Sequence, residues 1–315
     1  MDAQARSRYN SGMEVIIDAP AKINLHLQVG ALREDRYHEL LSVFHLIDIA
    51  DTLRVRKSGP PGSVLIHGPF DFPAEINLLH IAAMRYFEMF YEAKGVHPEE
   101  GVEVFCTKRI PDGGGLGGGS SDAAALLKAM KILFGIPESS DRLFECALAV
   151  GSDVPFFLST AAALVRGRGE ILSPLPPLPE YGILLVFPGW KVSTPAAYCE
   201  IDRRREQIRV SAEALTAEQL SEDYEELMLS GRFFNDFTPV VRLQYPEIDE
   251  IIEQLRDSGA LYAQMSGSGS TIFGLYRHDH NIIRTSGRFL ERGFGVHTGK
   301  MLACPIEPVY NGRNI

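Results

Sequence analysis

Between Pro111 and Ala124 the chain reads PDGGGLGGGSSDAA, with six glycines and two serines placed directly before the helix formers Ala125, Leu126 and Leu127. Glycine costs conformational entropy wherever it is used, so a run of it at a helix start points to a need for bare backbone N–H groups. Such groups, reinforced by the helix dipole, bind phosphate. A flexible linker is the plainer reading, but linkers do not sit between an alternating strand and an amphipathic helix. The adjacent hydroxyls of Ser120 and Ser121 are of a type that touches phosphate or Mg²⁺. No Gly-Lys-Ser/Thr closes the loop, no acidic residue ends a paired strand about 20 residues on, and no HRD or DFG segment appears downstream. These absences set aside the P-loop, the dinucleotide fingerprint and the protein-kinase loop.

Three further positions carry chemistry. Lys22, just after Pro20-Ala21, shares a strand face with Asn24; alone it reads as a solvated charge. Asp153 stands by itself in the apolar GSDVPFF segment and reads equally as a turn cap or as a working carboxylate. Tyr37-His38 offers a stacking face and hydrogen bonds, or simply a buried structural histidine. His278-Asp279-His280 has the form of a metal pair without a third ligand; it reads as a polar loop, and no metal site is assigned.

The elements that must position these residues follow from periodicity. Ile23, Leu25, Leu27 and Val29 alternate with polar residues as a half-buried strand. Leu53–Val55 and Val64–Ile66 flank a Ser-Gly-Pro-Pro-Gly turn and read as a hairpin. Asn77 is placed to cap a helix that Gly95 and Pro98 stop, and Val102, Val104 and Cys106 form the strand that feeds the glycine loop through Lys108 to Pro111. The following helix has its stop signals at Gly135 and Pro137, and a short helix spans about Asp141 to Val150. After the proline-rich SPLPPLP at Ser173 to Pro179 come a strand at Ile183–Phe187, a charged helical run from Arg203 to Glu226, and a second glycine turn, Ser266 to Ser270, before a strand at Thr271–Tyr276.

At 315 residues the chain suits two domains of roughly 150 residues each. The division is expected at the prolines, giving 1–173, with a polar tail over 1–12, and 174–315. A net charge of −10 argues against a nucleic-acid surface and toward a small-molecule partner. Four cysteines without C-x-x-C spacing, and no apolar run of membrane length, point to a cytoplasmic protein without a membrane partner. The sequence sets no oligomeric state.

Three ordered blocks, PAKINL around Lys22, PDGGGLGGGSSDAA, and MSGSGS at Met265 to Ser270, resemble the signature motifs of the GHMP small-molecule kinases. The lengthened glycine loop, PAKINLHLQV, DRYHEL and GSDVPFFL together resemble the branch whose acceptor carries a cytidyl diphosphate. The resemblance implies an α/β (α+β) two-domain fold: an N-terminal ATP-binding domain with a left-handed βαβ unit, and a ferredoxin-like C-terminal domain. It implies phosphorylation, from ATP with Mg²⁺, of the 2-hydroxyl of a cytidyl-diphosphate methylerythritol in isoprenoid precursor synthesis. Homoserine or a mevalonate-type alcohol remains open as acceptor, as does a catalytically silent binding protein. By the same resemblance Lys22 and Asp153 are the catalytic pair. Pro111, Asp112, Gly113, Gly114, Gly115, Leu116, Gly117, Gly118, Gly119, Ser120 and Ser121 hold the nucleotide phosphates, with Asn77 and Lys108 at the adenosine end. Asn24, Tyr37, His38, Thr194 and Tyr198 line the cytidine-bearing substrate. Two residues depart from the family pattern: Arg36 replaces a glycine before Tyr37-His38, and Asp112 replaces a small or apolar residue.

Overall fold

The alternating segment near the N-terminus becomes one arm of a long antiparallel hairpin, β1 (Glu14–Leu32) with β2 (His38–Lys57). The computed structural model describes residues 13–135, 140–208, 214–305, 307 and 309–310. The tail read at 1–12 and the helix stop read at Pro137 lie outside the described residues. The chain continues through β3 (Val64–His67), α1 (Leu78–Lys94), β4 (Val102–Thr107), α2 (Gly118–Phe134), α3 (Ser140–Val150), α4 (Phe156–Ser159), β5 (Ala162–Gly167) and β6 (Ile171–Pro174). It then runs through β7 (Gly182–Phe187), α5 (Thr194–Ile208), α6 (Ala217–Glu222), α7 (Tyr224–Leu229), α8 (Thr238–Val241) and α9 (Glu247–Asp257). The last elements are β8 (Tyr262–Met265), β9 (Ile272–Tyr276), α10 (Asp279–Glu291), β10 (Gly295–Lys300) and β11 (Val309–Tyr310).

The first sheet has the order β11-β1-β2-β4-β3, and β5 pairs with both β2 and β6. Its apolar face packs against α1 and α2 through Val15, Leu53, Val104, Tyr86, Leu126 and Met130, all fully or nearly fully buried. The helix ends behave as their residues dictate. The Asn77 side chain accepts from Leu79 N at 3.0 Å, and Gly95 and Gly135 close α1 and α2 in left-handed conformation. The expected hairpin between Leu53–Val55 and Val64–Ile66 does not form. β3 instead runs parallel to β4, which lies between it and β2, so β3, α1 and β4 make a βαβ unit. The turn residues at 58–62 mark a reversal, but β4 offers β2 a longer partner, Thr52 to Lys57 against Val102 to Thr107, than four-residue β3 could.

The second sheet, β10-β7-β9-β8, is antiparallel throughout. With α5 to α9 between β7 and β8, and α10 between β9 and β10, it has the βαββαβ order of a ferredoxin-like domain. The proline-rich segment starts on the last two residues of β6, Ser173 and Pro174, leads toward β7 and is anchored by buried Leu175 and Leu178. The chain end then returns to the first sheet, where β11 pairs Val309 and Tyr310 with Ile16 and Val15.

Arg36, at the tip between β1 and β2, has φ 66°. This left-handed conformation costs an L side chain about 1 kcal/mol or more, which explains why glycine suits the position. The R36G variant is expected to be more stable by about 0.5 kcal/mol, the relief of strain exceeding the entropy glycine adds to the unfolded chain. Urea unfolding checks this, and a loss of stability would show that Arg36 makes compensating contacts.

Candidate active site

The glycine loop lies between β4 and α2 and rests on β1. Lys22 N donates to Leu116 O at 2.9 Å, and Ser121 Oγ donates to Pro20 O at 2.7 Å, so strand and loop are tied on both sides of Gly117. Gly117 has φ 70°, and a Cβ there would stand 3.0 Å from Phe157 Cζ and 3.2 Å from Lys22 Cγ. Only glycine lets the loop cross over the lysine stem. The first turn of a helix leaves N–H groups without intrahelical acceptors, which makes the start of α2 a place suited to an anion. Ser120 is partly exposed at that turn, whereas Ser121 is buried. The expectation that both hydroxyls reach a phosphate or Mg²⁺ is therefore corrected: Ser121 anchors β1. Asp112 is exposed at the lip.

Lys22 passes beneath the loop with 5% of its surface exposed. Its Nζ donates to Asn24 Oδ1 at 2.5 Å, stands 3.9 Å from Asp153 Oδ2 and lies 4.3 Å from the Phe44 ring centre. Burial lowers the ammonium's pKa from its ordinary value, and the Asp153 carboxylate opposes that shift. Lys22 and Asn24, two residues apart on β1, share one face, and a register shift between Asn24 and His26 marks a bulge just beyond them. Asp153 sits in the turn before α4, whose N-cap is Pro155, so it is not a helix cap. With a side chain 34% exposed it is also not the buried carboxylate its apolar neighbours suggested. It borders open space with the lysine behind it. Together these groups can hold a phosphoryl group against an alcohol whose proton the carboxylate accepts.

The second glycine turn closes the loop from the other side. Ser266 Oγ donates to Gly115 O at 2.9 Å and accepts from Asn24 N at 3.2 Å, while Thr271 N donates to Gly114 O at 3.2 Å. A Cβ on Gly115, whose φ is 75°, would fall 2.1 Å from Ser266 O. Asn235, which the sequence reading missed, is buried and donates to Met265 O at 2.7 Å and Gly267 O at 2.8 Å. Thr194 Oγ1 lies 2.7 Å from Ser268 Oγ, tying the start of α5 to the same turn.

The expected substrate residues gather beside this junction. His38 and Tyr198 are stacked, ring centres 5.0 Å apart at 7°. His38 Nδ1 lies 3.2 Å from Gly30 O, and Nε2 lies 3.3 Å from Asp202, one turn beyond Tyr198 on α5. Burial, aided by the Asp153 charge, pushes the Tyr198 phenol up to about 12. Tyr37 is 53% exposed.

Lys108 is placed differently from expectation. Its Nζ donates to Asp51 Oδ2 at 2.5 Å and Asp122 Oδ2 at 2.8 Å, with both carboxylates buried. The Asp51 Oδ1 also accepts from Arg109 N and Ile110 N, at 2.5 and 2.9 Å. The ammonium thus braces the floor of the loop and is not open to a nucleotide. Asn77 likewise spends its Oδ1 on the α1 cap and is 6% exposed. Asp122, in the SSDAA motif, went unmarked in the sequence, although a carboxylate among alanines in a first helical turn is a signal for it. The side chains of Asp279 and His280, from the H-x-H segment, lie outside the described residues.

Comparison with known proteins agrees with this arrangement. Residues 77–161 match the GHMP kinases N terminal domain model, and residues 211–288 match the GHMP kinases C terminal model. The chain is 42% identical over 274 residues to 4-diphosphocytidyl-2-C-methyl-D-erythritol kinase of Treponema pallidum, covering 84% of this chain and 91% of the relative. It is 36% identical to the protein of the same name from Syntrophomonas wolfei, over 88% of this chain and 95% of that one. A crystal structure of 4-(cytidine 5'-diphospho)-2C-methyl-D-erythritol kinase superposes with a TM-score of 0.73 at 34% identity, covering 91% of this chain and 98% of the other. Homoserine kinase from Cytophaga hutchinsonii, at 20% identity and a TM-score of 0.70, shares the fold.

Two buried carboxylates around one ammonium leave a charge surplus. Burial first, and then the neighbouring Asp51, pushes the Asp122 carboxyl up to about 7 from 3.8, against the pull of Lys108. The folded chain then holds a proton that the unfolded chain releases, so this group's contribution to stability falls as pH rises from about 4 to about 7 and is level above. The D122N variant is expected to lack that loss. Its stability relative to wild type should increase between pH 5 and 8 in urea unfolding, and a parallel pH dependence would contradict the charge count.

Proposed function

The chain belongs to the GHMP kinases, within the 4-diphosphocytidyl-2-C-methyl-D-erythritol kinase family, and from that premise we propose that it transfers the γ-phosphoryl group of ATP to the 2-hydroxyl of 4-diphosphocytidyl-2-C-methyl-D-erythritol, a reaction of isoprenoid precursor biosynthesis. The observation that carries the catalytic assignment is the buried Lys22 ammonium, 3.9 Å from Asp153 and crossed by Gly117. In this reading the loop from Pro111 to Ser120 holds the β- and γ-phosphates through its backbone N–H groups, and Lys22 offsets charge on the transferred group. Asp153 orients the acceptor hydroxyl and accepts its proton as the new O–P bond forms. The bond from the γ-phosphorus to the bridging oxygen breaks, and ADP leaves with that electron pair.

Mg²⁺ suits the oxygen donors present. Ser120 and the exposed Asp112 carboxylate flank the loop, and an ion of this kind is held largely by substrate phosphates and water with few protein ligands. When bound, the ion neutralises phosphate charge. The cytidine end is assigned to Asn24, Tyr37, His38, Thr194 and Tyr198, with the base taking a stacking place against the aromatic side chains. Asn24 also has a positioning role, since its Oδ1 holds Lys22 and its Nδ2 donates to Ser42 Oγ at 3.0 Å.

ADP release by the purified protein tests the assignment, with the cytidyl diphosphate alcohol, homoserine and mevalonate as acceptors. Release is expected only with the first, and release only with homoserine or mevalonate would overturn it. D153N should lower turnover by roughly 100- to 10,000-fold with ATP affinity nearly intact. K22M should abolish measurable turnover yet raise folding stability by about 1 kcal/mol or more, because a buried charge is exchanged for an apolar chain of similar length. A destabilised K22M protein would show that the ammonium is a net structural asset.

A further inference from the structure

A cleft of about 510 Å³ between α5 and α8 shares no lining residue with the site described above. Ala196 and Ala197 of α5 line it with Val240 and Val241 of α8, and Ala197 and both valines are buried. Its charged lining is Lys191, Arg204 and Glu200. Glu200 accepts from Arg204 Nε and lies 3.7 Å from an Arg203 guanidinium nitrogen, so two cations already answer this carboxylate. Among the described residues no carboxylate pairs with the Lys191 ammonium. The cleft therefore carries surplus positive charge in a chain whose net charge is −10. Helix α5 is the wall between this cleft and the acceptor residues. Ala196, Ala197, Glu200 and Arg204 recur along one of its faces, and Thr194, Tyr198 and Asp202 follow at four-residue spacing along another, where Tyr198 and Asp202 meet His38. Beside Lys191 stands the chain's single tryptophan, Trp190, stacked on Tyr245 with ring centres 4.7 Å apart at 3°. Trp190 O accepts from Ser270 Oγ of the second glycine turn at 2.8 Å.

We propose that this cleft binds a small amphiphilic anion and that the bound anion tightens acceptor binding through α5. The volume is that of a small-molecule site, and its make-up is mixed: alanine and valine walls for an apolar tail, Lys191 and Arg204 for an anionic head. A ligand seated there adds packing to the helix that carries Thr194, Tyr198 and Asp202. Less ordering of that helix is then left for the acceptor to impose, and the two ligands favour each other's binding. The coupling rests on the functional reading above, which sets the acceptor against Thr194 and Tyr198; the binding site does not.

Titration of the full chain with octyl phosphate, followed through Trp190 fluorescence, tests the site, with octanol and inorganic phosphate as tail and head alone. Octyl phosphate should give a saturable change and bind roughly 10-fold or more tightly than either. K191Q should weaken it roughly 3- to 10-fold, and A196F, which places a ring in the cleft, should remove the response while basal turnover persists. A response that does not saturate, octanol binding as tightly, or an affinity unchanged in K191Q would overturn the assignment; should A196F not fold, K191Q decides. Saturating octyl phosphate should lower the acceptor KM of wild type by roughly 5-fold, with the KM for ATP unchanged, and should leave A196F unaffected. An acceptor KM that stays constant or rises would overturn the coupling. Failure of wild type to phosphorylate the cytidyl diphosphate alcohol, with the K191Q-sensitive fluorescence response retained, would overturn the catalytic reading and leave the binding site standing.

Discussion

A lysine ammonium taken almost wholly out of water is the constraint on which the rest of the structure depends. Desolvating a cation is costly, and a small set of neighbours offsets that cost at Lys22: the Asn24 carbonyl, the Phe44 ring face and the Asp153 carboxylate. Each comes from a different local device. Asn24 is presented by a strand with a bulge next to it, Phe44 by the opposite strand of the hairpin, and Asp153 by the turn ahead of α4. The glycine loop can cross the lysine only because Gly117 lacks a side chain, and Ser121 then clamps the helix start onto Pro20. The glycine loop and the buried ammonium are thus one unit.

That unit is completed across the two sheets. Ser266 bridges Gly115 O and Asn24 N, and the turn carrying it is itself fastened by the buried Asn235 amide. Thr194 then links the same turn to the start of α5, which carries Tyr198. The aromatic pair and the glycine loop are therefore joined through one hydrogen-bonded turn. The buried Lys108 with Asp51 and Asp122 stiffens the floor beneath, at the cost of a surplus negative charge.

Much of this was legible in the sequence because glycine, proline and lone charges are local signals. The loop, its helix, the Asn77 cap, and the Lys22–Asp153 pairing implied by family resemblance all appear where the residues suggested. What was not legible depends on partners far away in the chain. The pairing of β4 between β2 and β3 is a competition among strands, which a turn motif cannot report. Whether Ser120 or Ser121 faces the loop depends on helix phase at a single residue. Lys108 looked available because the carboxylates that take it, Asp51 and Asp122, are 57 and 14 residues away. Arg36 departs from the family glycine, and the structure gives the departure a physical meaning in its left-handed backbone.

The central claim is that phosphoryl transfer runs directly between two ligands held on either side of Lys22 and Asp153, with no phosphorylated protein intermediate. A single-turnover reaction with γ-labelled ATP and excess enzyme–acceptor complex tests it most directly. The label should appear in the acceptor at the same rate as ADP forms, one for one, with none on the protein. Label on the protein ahead of the acceptor, or ADP formed without labelled acceptor, would contradict the account.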